Sequence, residues 1–194
     1  MKQKKTTATD QFTMNIILIG FASSGKTTAA NTLSQLTSLP HVDLDRAIET
    51  LFERDHHRTL TIREIFSEVG KSAFVRLEHQ AIQELQGAQF TIISTGGHAP
   101  VDPHNRKLLK QLGTIIYLKA APETILGRMR KKGIPASIKD GEAGLLREWQ
   151  FRDPIYSELS DLVIENDGST ALESASKIVE FCSLEETNNQ GDTN

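Results

Sequence analysis

Apolar residues in this chain gather into short runs set between longer stretches of mixed character. The runs at 16–19, around Val42, at 90–93, 115–118 and 162–164 are short and dominated by isoleucine, leucine and valine. That pattern suits strands buried on both faces of a parallel sheet. Helix formers fill 27–36, 62–66, 71–85, 105–111, 122–131, 143–156 and 169–182. Strands alternating with helices predict a five-stranded parallel sheet covered by helices on both faces, an α/β domain spanning about residues 14–183. Ligands on such sheets bind beyond the carboxyl ends of the strands, so the residue following each strand is where chemistry is expected.

After the first run the chain reads "IILIGFASSGKTTAA", and Gly20-x-x-x-x-Gly25-Lys26-Thr27 is a complete P-loop pattern. The two glycines let the backbone turn where a side chain would obstruct it. Consecutive N–H groups then point into one concavity, and the following helix aims its N-terminus at the same spot. Lys26 can reach the β- and γ-phosphates of ATP, and the Thr27 hydroxyl can ligate Mg²⁺. A chance glycine loop would need no such context.

The second strand runs into "HVDLDRAIE", with Asp43 and Asp45 two residues apart. In extended chain alternate side chains share a face, so both carboxylates can address one ligand. Phosphoryl transfer uses such a pair, one acid near Mg²⁺ through its water and another accepting the acceptor's proton. The competing reading makes Asp45 a helix N-cap, with Glu49 in the next turn, and Asp43 an ordinary loop carboxylate. The third strand ends in "STGGHAP", where Gly96 and Gly97 permit close backbone approach to a ligand or simply a tight turn.

Composition narrows the class. The chain has 194 residues, 38% hydrophobic and 24% charged, enough for one globular core. A formal net charge of −3 argues against a nucleic-acid binder. The one cysteine, Cys182, excludes an internal disulfide and suits the reduced cytoplasm as a small buried hydrophobe. No apolar run approaches the ~18 residues of a membrane span. Residues 1–13 read as a disordered leader, with Met14 an alternative start, and 184–194 as a disordered acidic tail. His56 and His57 lack partners at metal-ligand spacing and read as surface residues, while Trp149 reads as packing.

Taken in order, "GFASSGKTT", "DLDRAIE", "TIREIFSEVGKSAFVRLE", "STGGHA" and "RDPIYSELSDLVI" make the sequence resemble the shikimate kinase family over about residues 14–183. The resemblance implies a P-loop kinase fold, a monomer, and transfer of the ATP γ-phosphate to the 3-hydroxyl of shikimate with Mg²⁺, in aromatic amino-acid biosynthesis. Carried over by position, Ser23, Ser24, Gly25, Lys26, Thr27 and Thr28 cradle the phosphates, and Arg128 packs on the adenine. Thr27 and, through water, Asp43 hold the metal. Asp45 takes the shikimate hydroxyls and is the base, Gly96 and Gly97 offer backbone donors, and Arg152 pairs with the shikimate carboxylate. A lid is implied at about 131–141.

Three positions depart from the family pattern. Val75 stands where the family has an arginine after the phenylalanine of "AFVRLE". Arg76, one residue on, is rotated about 100° around the helix. Ile134 stands where the lid arginine is expected, and His98 replaces the third glycine of the turn. These departures leave two alternatives open: a kinase for another hydroxy acid such as gluconate, or a nucleotide-binding relative that has lost catalysis.

Overall fold

The structure is a computed structural model that describes residues 14–132 and 140–189. The leader at 1–13, and most of the expected lid including Ile134, lie outside the described residues. Five parallel strands form one sheet in the order β2-β3-β1-β4-β5: β1 Asn15–Ile19, β2 His41–Asp43, β3 Ile92–Ser94, β4 Gly113–Lys119 and β5 Leu162–Glu165. Because β1 sits between β3 and β4, chain connections leave its two flanks in opposite directions. The crevice at its carboxyl end is the topological switch point of the sheet.

Every residue of β1 is buried, and period-2 geometry divides its side chains between two cores. Ile16 and Leu18 face α1 (Lys26–Thr37) and α7 (Ala171–Asn189), packing with Ala30, Leu33 and Ile178. Ile17 and Ile19 face the other layer, where Ile48 of α2 (Leu44–His56), Phe74 of α3 (Ile62–Glu84) and Leu109 of α4 (Pro103–Leu112) meet. Ile125 of α5 (Pro122–Lys132) and Tyr156 of α6 (Gly141–Leu159) complete that layer. Cys182 is buried in the α1/α7 core, and Trp149 packs half-buried with its indole N–H on the Ala120 carbonyl, 2.9 Å away.

Three local expectations need correction, and one is sharpened. The helix Leu44–His56 starts directly at the end of β2, where the apolar pattern had shown only a strand and an acid pair. Residue 90 is not in β3: Phe90 has φ +51° and is 37% exposed, so the strand begins only at Ile92. The two helices expected at 62–66 and 71–85 are present within α3, separated at Gly70, whose φ of 73° and ψ of 171° are accessible essentially to glycine alone. Finally, α7 continues to Asn189, past the boundary expected at 183.

The end of the sheet away from the crevice is tied by one side chain. Buried Asn15 donates Nδ2 to the Ala88 and Leu112 carbonyls at 2.8 and 2.9 Å, and its Oδ1 accepts the Thr91 N–H at 3.0 Å. Asn15→Ala strands these groups, and each unpaired buried group costs about 1–3 kcal/mol. We expect urea unfolding of Asn15→Ala to show a stability loss of about 3 kcal/mol, with nucleotide binding intact because the crevice lies at the opposite end of β1.

Candidate active site

The loop after β1 is built by backbone sterics. A Cβ at Gly20 (φ +146°) would lie 2.6 Å from the Leu118 carbonyl oxygen, and one at Gly25 (φ +110°) 2.7 Å from Asn166 Nδ2. Ser23 also adopts a left-handed conformation, with φ +64°. The first turn of α1 closes through the Ala29 N–H on the Gly25 carbonyl. Lys26 reaches back across the loop and donates Nζ to the Gly20 and Phe21 carbonyls, each at 2.9 Å. Burial pushes its pKa down to about 8, against the pull of Asp45 and Asp43, so it stays cationic at neutral pH.

A cavity of about 380 Å³ opens over this loop, lined among others by Ser23, Gly25, Lys26, Thr27, Thr28 and Arg128. Those are the expected phosphate- and adenine-side residues with one exception. Ser24 is fully buried, and its carbonyl accepts from Arg128 Nη1 at 2.8 Å and Asn166 Nδ2 at 2.5 Å. Arg128 also reaches the carbonyls of Ser23 and Asn166, both at 3.2 Å, so its guanidinium braces the loop from behind. Asn166 was missed in the sequence. It is the first residue after β5, at a strand end with no motif to mark it, and Ser174 Oγ holds its Oδ1 at 2.9 Å.

The acid pair is arranged differently from an extended strand. Asp43 ends β2 and caps α2, accepting the Asp45 N–H on Oδ1 at 3.0 Å; Asp45 occupies the first helical turn. The capping role thus falls to Asp43, not Asp45. Asp43 Oδ2 accepts the hydroxyls of Thr27 and Ser94, each at 3.2 Å. Thr27 Oγ1 and Asp43 Oδ2 are adjacent hard oxygens, a set that fits Mg²⁺, which keeps several waters and takes few protein ligands.

Asp45 stands against the glycine turn. A Cβ at Gly96 would lie 2.5 Å from Asp45 Oδ1, and one at Gly97 3.0 Å from the Ala22 amide nitrogen. Glycine at both positions lets the turn lie between the acid and the phosphate loop. Burial first, then the charge of Asp43, raises the Asp45 pKa to about 6, while Lys26 opposes the rise. Arg152 on α6 is 2% exposed and stacks over the Phe21 ring at 5.0 Å. It donates to Glu148 Oε2 from Nε (2.9 Å) and Nη2 (2.5 Å), and to the Gly97 carbonyl from Nη1 (3.2 Å). Its Nη2 also meets His98 Nε2 at 3.0 Å. Burial and the charges of Arg152 and Lys71 hold the His98 ring neutral, near a pKa of about 4, so Nε2 is the acceptor.

The wall of α3 answers the question raised by Val75. Val75 is half-buried, and Arg76 is exposed with Nη1 on the Ser72 carbonyl at 3.3 Å, so Arg76 does not stand in for it. One turn on, Glu78 is 2% exposed and accepts from the Asn105 amide at 3.4 Å. Burial, with Asp45 and Asp102 nearby, raises its pKa to about 8. Its signal in the sequence was a glutamate four residues after Phe74, on the buried side of the helix.

A phosphate-binding loop at the switch point of a five-stranded parallel sheet, with a carboxylate facing its lysine, defines a P-loop kinase. Known proteins make the class specific. The family model for shikimate kinase matches residues 22–183. A shikimate kinase of Burkholderia thailandensis is 36% identical over 155 residues, covering 78% of this chain and 80% of the relative. One from Enterococcus faecalis is 31% identical over 169 residues, covering 86% and 96%. The solved shikimate kinase of Acinetobacter baumannii in complex with shikimate superposes with a TM-score of 0.78 at 32% identity, covering 88% of this chain and 93% of that one. The chain belongs to the shikimate kinase family.

Glu78 gives a stability test. Its folded pKa lies above the ordinary 4.5, so its contribution is fully present below pH 4.5 and is lost as pH rises through about 8. Glu78→Gln, neutral at all pH, is expected to remove this fall and to exceed the parent by roughly 2–4 kcal/mol at pH 8. Urea midpoints at pH 5 and 8 for both proteins read it; parallel pH trends would contradict the buried-acid assignment.

Proposed function

We propose that this chain is an ATP-dependent kinase that phosphorylates the 3-hydroxyl of shikimate, yielding shikimate 3-phosphate and ADP, a step of aromatic amino-acid biosynthesis. The observation that carries the reading is the Asp45 carboxylate lodged against Gly96 and in electrostatic contact with buried Lys26. A protein that merely bound nucleotide would have no use for a base of raised pKa at that place.

In this reading the loop amides of 23–28 and Lys26 hold the β- and γ-phosphates, and Arg128 keeps the loop in shape while bordering the adenine side. Thr27 and, through water, Asp43 hold Mg²⁺, which neutralises charge on the phosphates. Arg152 pairs with the acceptor carboxylate, and the Gly96 and Gly97 backbone borders the acceptor. Asp45 accepts the hydroxyl proton as the acceptor oxygen bonds to the γ-phosphorus and the bond to the ADP oxygen breaks. We place the enzyme in the cytoplasm as a monomer. Among the described residues no helix is long and apolar enough to cross a membrane.

Purified protein with MgATP is expected to release ADP when shikimate is added and not with gluconate. Gluconate turnover without shikimate turnover would transfer the reading to another hydroxy-acid kinase. Lys26→Ala should abolish turnover. Asp45→Asn should lower kcat by about 10²–10⁴-fold, the usual worth of a general base, while ATP affinity is retained. The rate of the parent should fall as pH drops below about 6, where Asp45 gains its proton. A flat profile down to pH 5 would contradict Asp45 as base.

A further inference from the structure

Arg152 is not free to grip a carboxylate with its whole fork. Of the five guanidinium N–H groups, two are directed at Glu148, one at the Gly97 carbonyl and one at His98, and the Tyr156 hydroxyl also meets the guanidinium. The charge around it is also unfavourable to an anion. Glu148 Oε2 lies 2.5 Å from Arg152 Nη2 and already offsets much of the guanidinium charge. An acceptor carrying a carboxylate needs a second cation on this side of the crevice.

The second segment of α3 supplies a candidate. Gly70 breaks the helix, and Lys71 is the first residue beyond it. Lys71, Val75 and Glu78 fall at i, i+4 and i+7, one stripe along the helix. At one end of that stripe Glu78 feels the charges of Asp45 and Arg152, so the stripe borders the acceptor crevice. At the other end the Lys71 charge reaches the His98 ring, which itself contacts Arg152. The Lys71 side chain is exposed, and among the described residues no hydrogen bond or ion pair holds it. A cation at the start of a helical segment also opposes the local dipole, so folding alone gives no reason for it.

We propose that Lys71 is the second acceptor-binding cation, clasping the acceptor carboxylate together with Arg152 from one helical turn before Val75. The inference rests on the reading of shikimate as acceptor. It makes Gly70 the device that turns the start of the segment toward the crevice, and it makes Val75 a spacer beneath a flexible ammonium. A lysine, unlike a planar guanidinium, meets its anion as a movable point charge.

The test compares the parent with Lys71→Met, Lys71→Arg and, as a control on the same helix, Arg76→Met. Titration calorimetry of shikimate and of its methyl ester reads binding independently of turnover, and steady-state assays read KM and kcat. Lys71→Met is expected to weaken shikimate binding at least about tenfold, the scale of one charge-assisted contact. ATP KM and the affinity for the uncharged ester should stay unchanged. Lys71→Arg should retain most of the affinity, and Arg76→Met should match the parent. Unchanged shikimate affinity in Lys71→Met overturns the inference while leaving the kinase assignment standing. A parent that neither binds nor turns over shikimate overturns both.

Discussion

The whole site depends on keeping one ammonium group dry and in place. Lys26 lies in the crevice at 7% exposure, and the two carbonyls that hold it belong to the loop it must serve. Burial alone would drive such a group toward neutrality, and its pKa does fall. It remains charged because the loop carbonyls and the facing carboxylates stabilise it. That requirement explains why the loop cannot tolerate side chains at Gly20 and Gly25, which pack against β4 and Asn166. It also explains why Arg128 and Asn166 converge on the backbone of Ser24 from behind: the loop is held as a rigid mould.

The two acids across the crevice are pushed to different tasks by their surroundings. Asp43 has Thr27 and Ser94 on one oxygen and the α2 cap on the other, so it is held in place beside a hydroxyl. Asp45 makes contact with the glycine turn and has its pKa raised by burial and by its neighbour. The anchored carboxylate suits charge neutralisation near a metal, and the buried one of raised pKa suits proton transfer. Both positions follow from one feature of the chain, a strand that converts into a helix with no intervening loop.

The strand pattern and the phosphate loop were legible because both are local: an apolar run, two glycines and a lysine state their geometry within a few residues. The Gly70 break was legible for the same reason. The helix at Leu44–His56 was legible only as a competing reading capped by Asp45, since its true N-cap, Asp43, doubles as the strand end. Phe90 misled because an aromatic beside apolar residues suggests a strand, whereas its backbone is a left-handed turn held by distant Asn15. Asn166 and Glu78 escaped because their meaning lies in contacts with residues far along the chain. Arg152 was named through the family resemblance, but its engagement with Glu148 and His98 depends on how α6 packs over the glycine turn.

The central claim is that the cradle and the base face one another closely enough to pass phosphate to an alcohol and not to water. Phosphorus NMR of the protein with MgATP and shikimate tests this directly, because it identifies the product. The account predicts a new phosphate-monoester resonance, coupled to a ring proton of the acceptor, growing in step with ADP. ATP consumed to ADP and inorganic phosphate with no ester signal, or left intact, would contradict it.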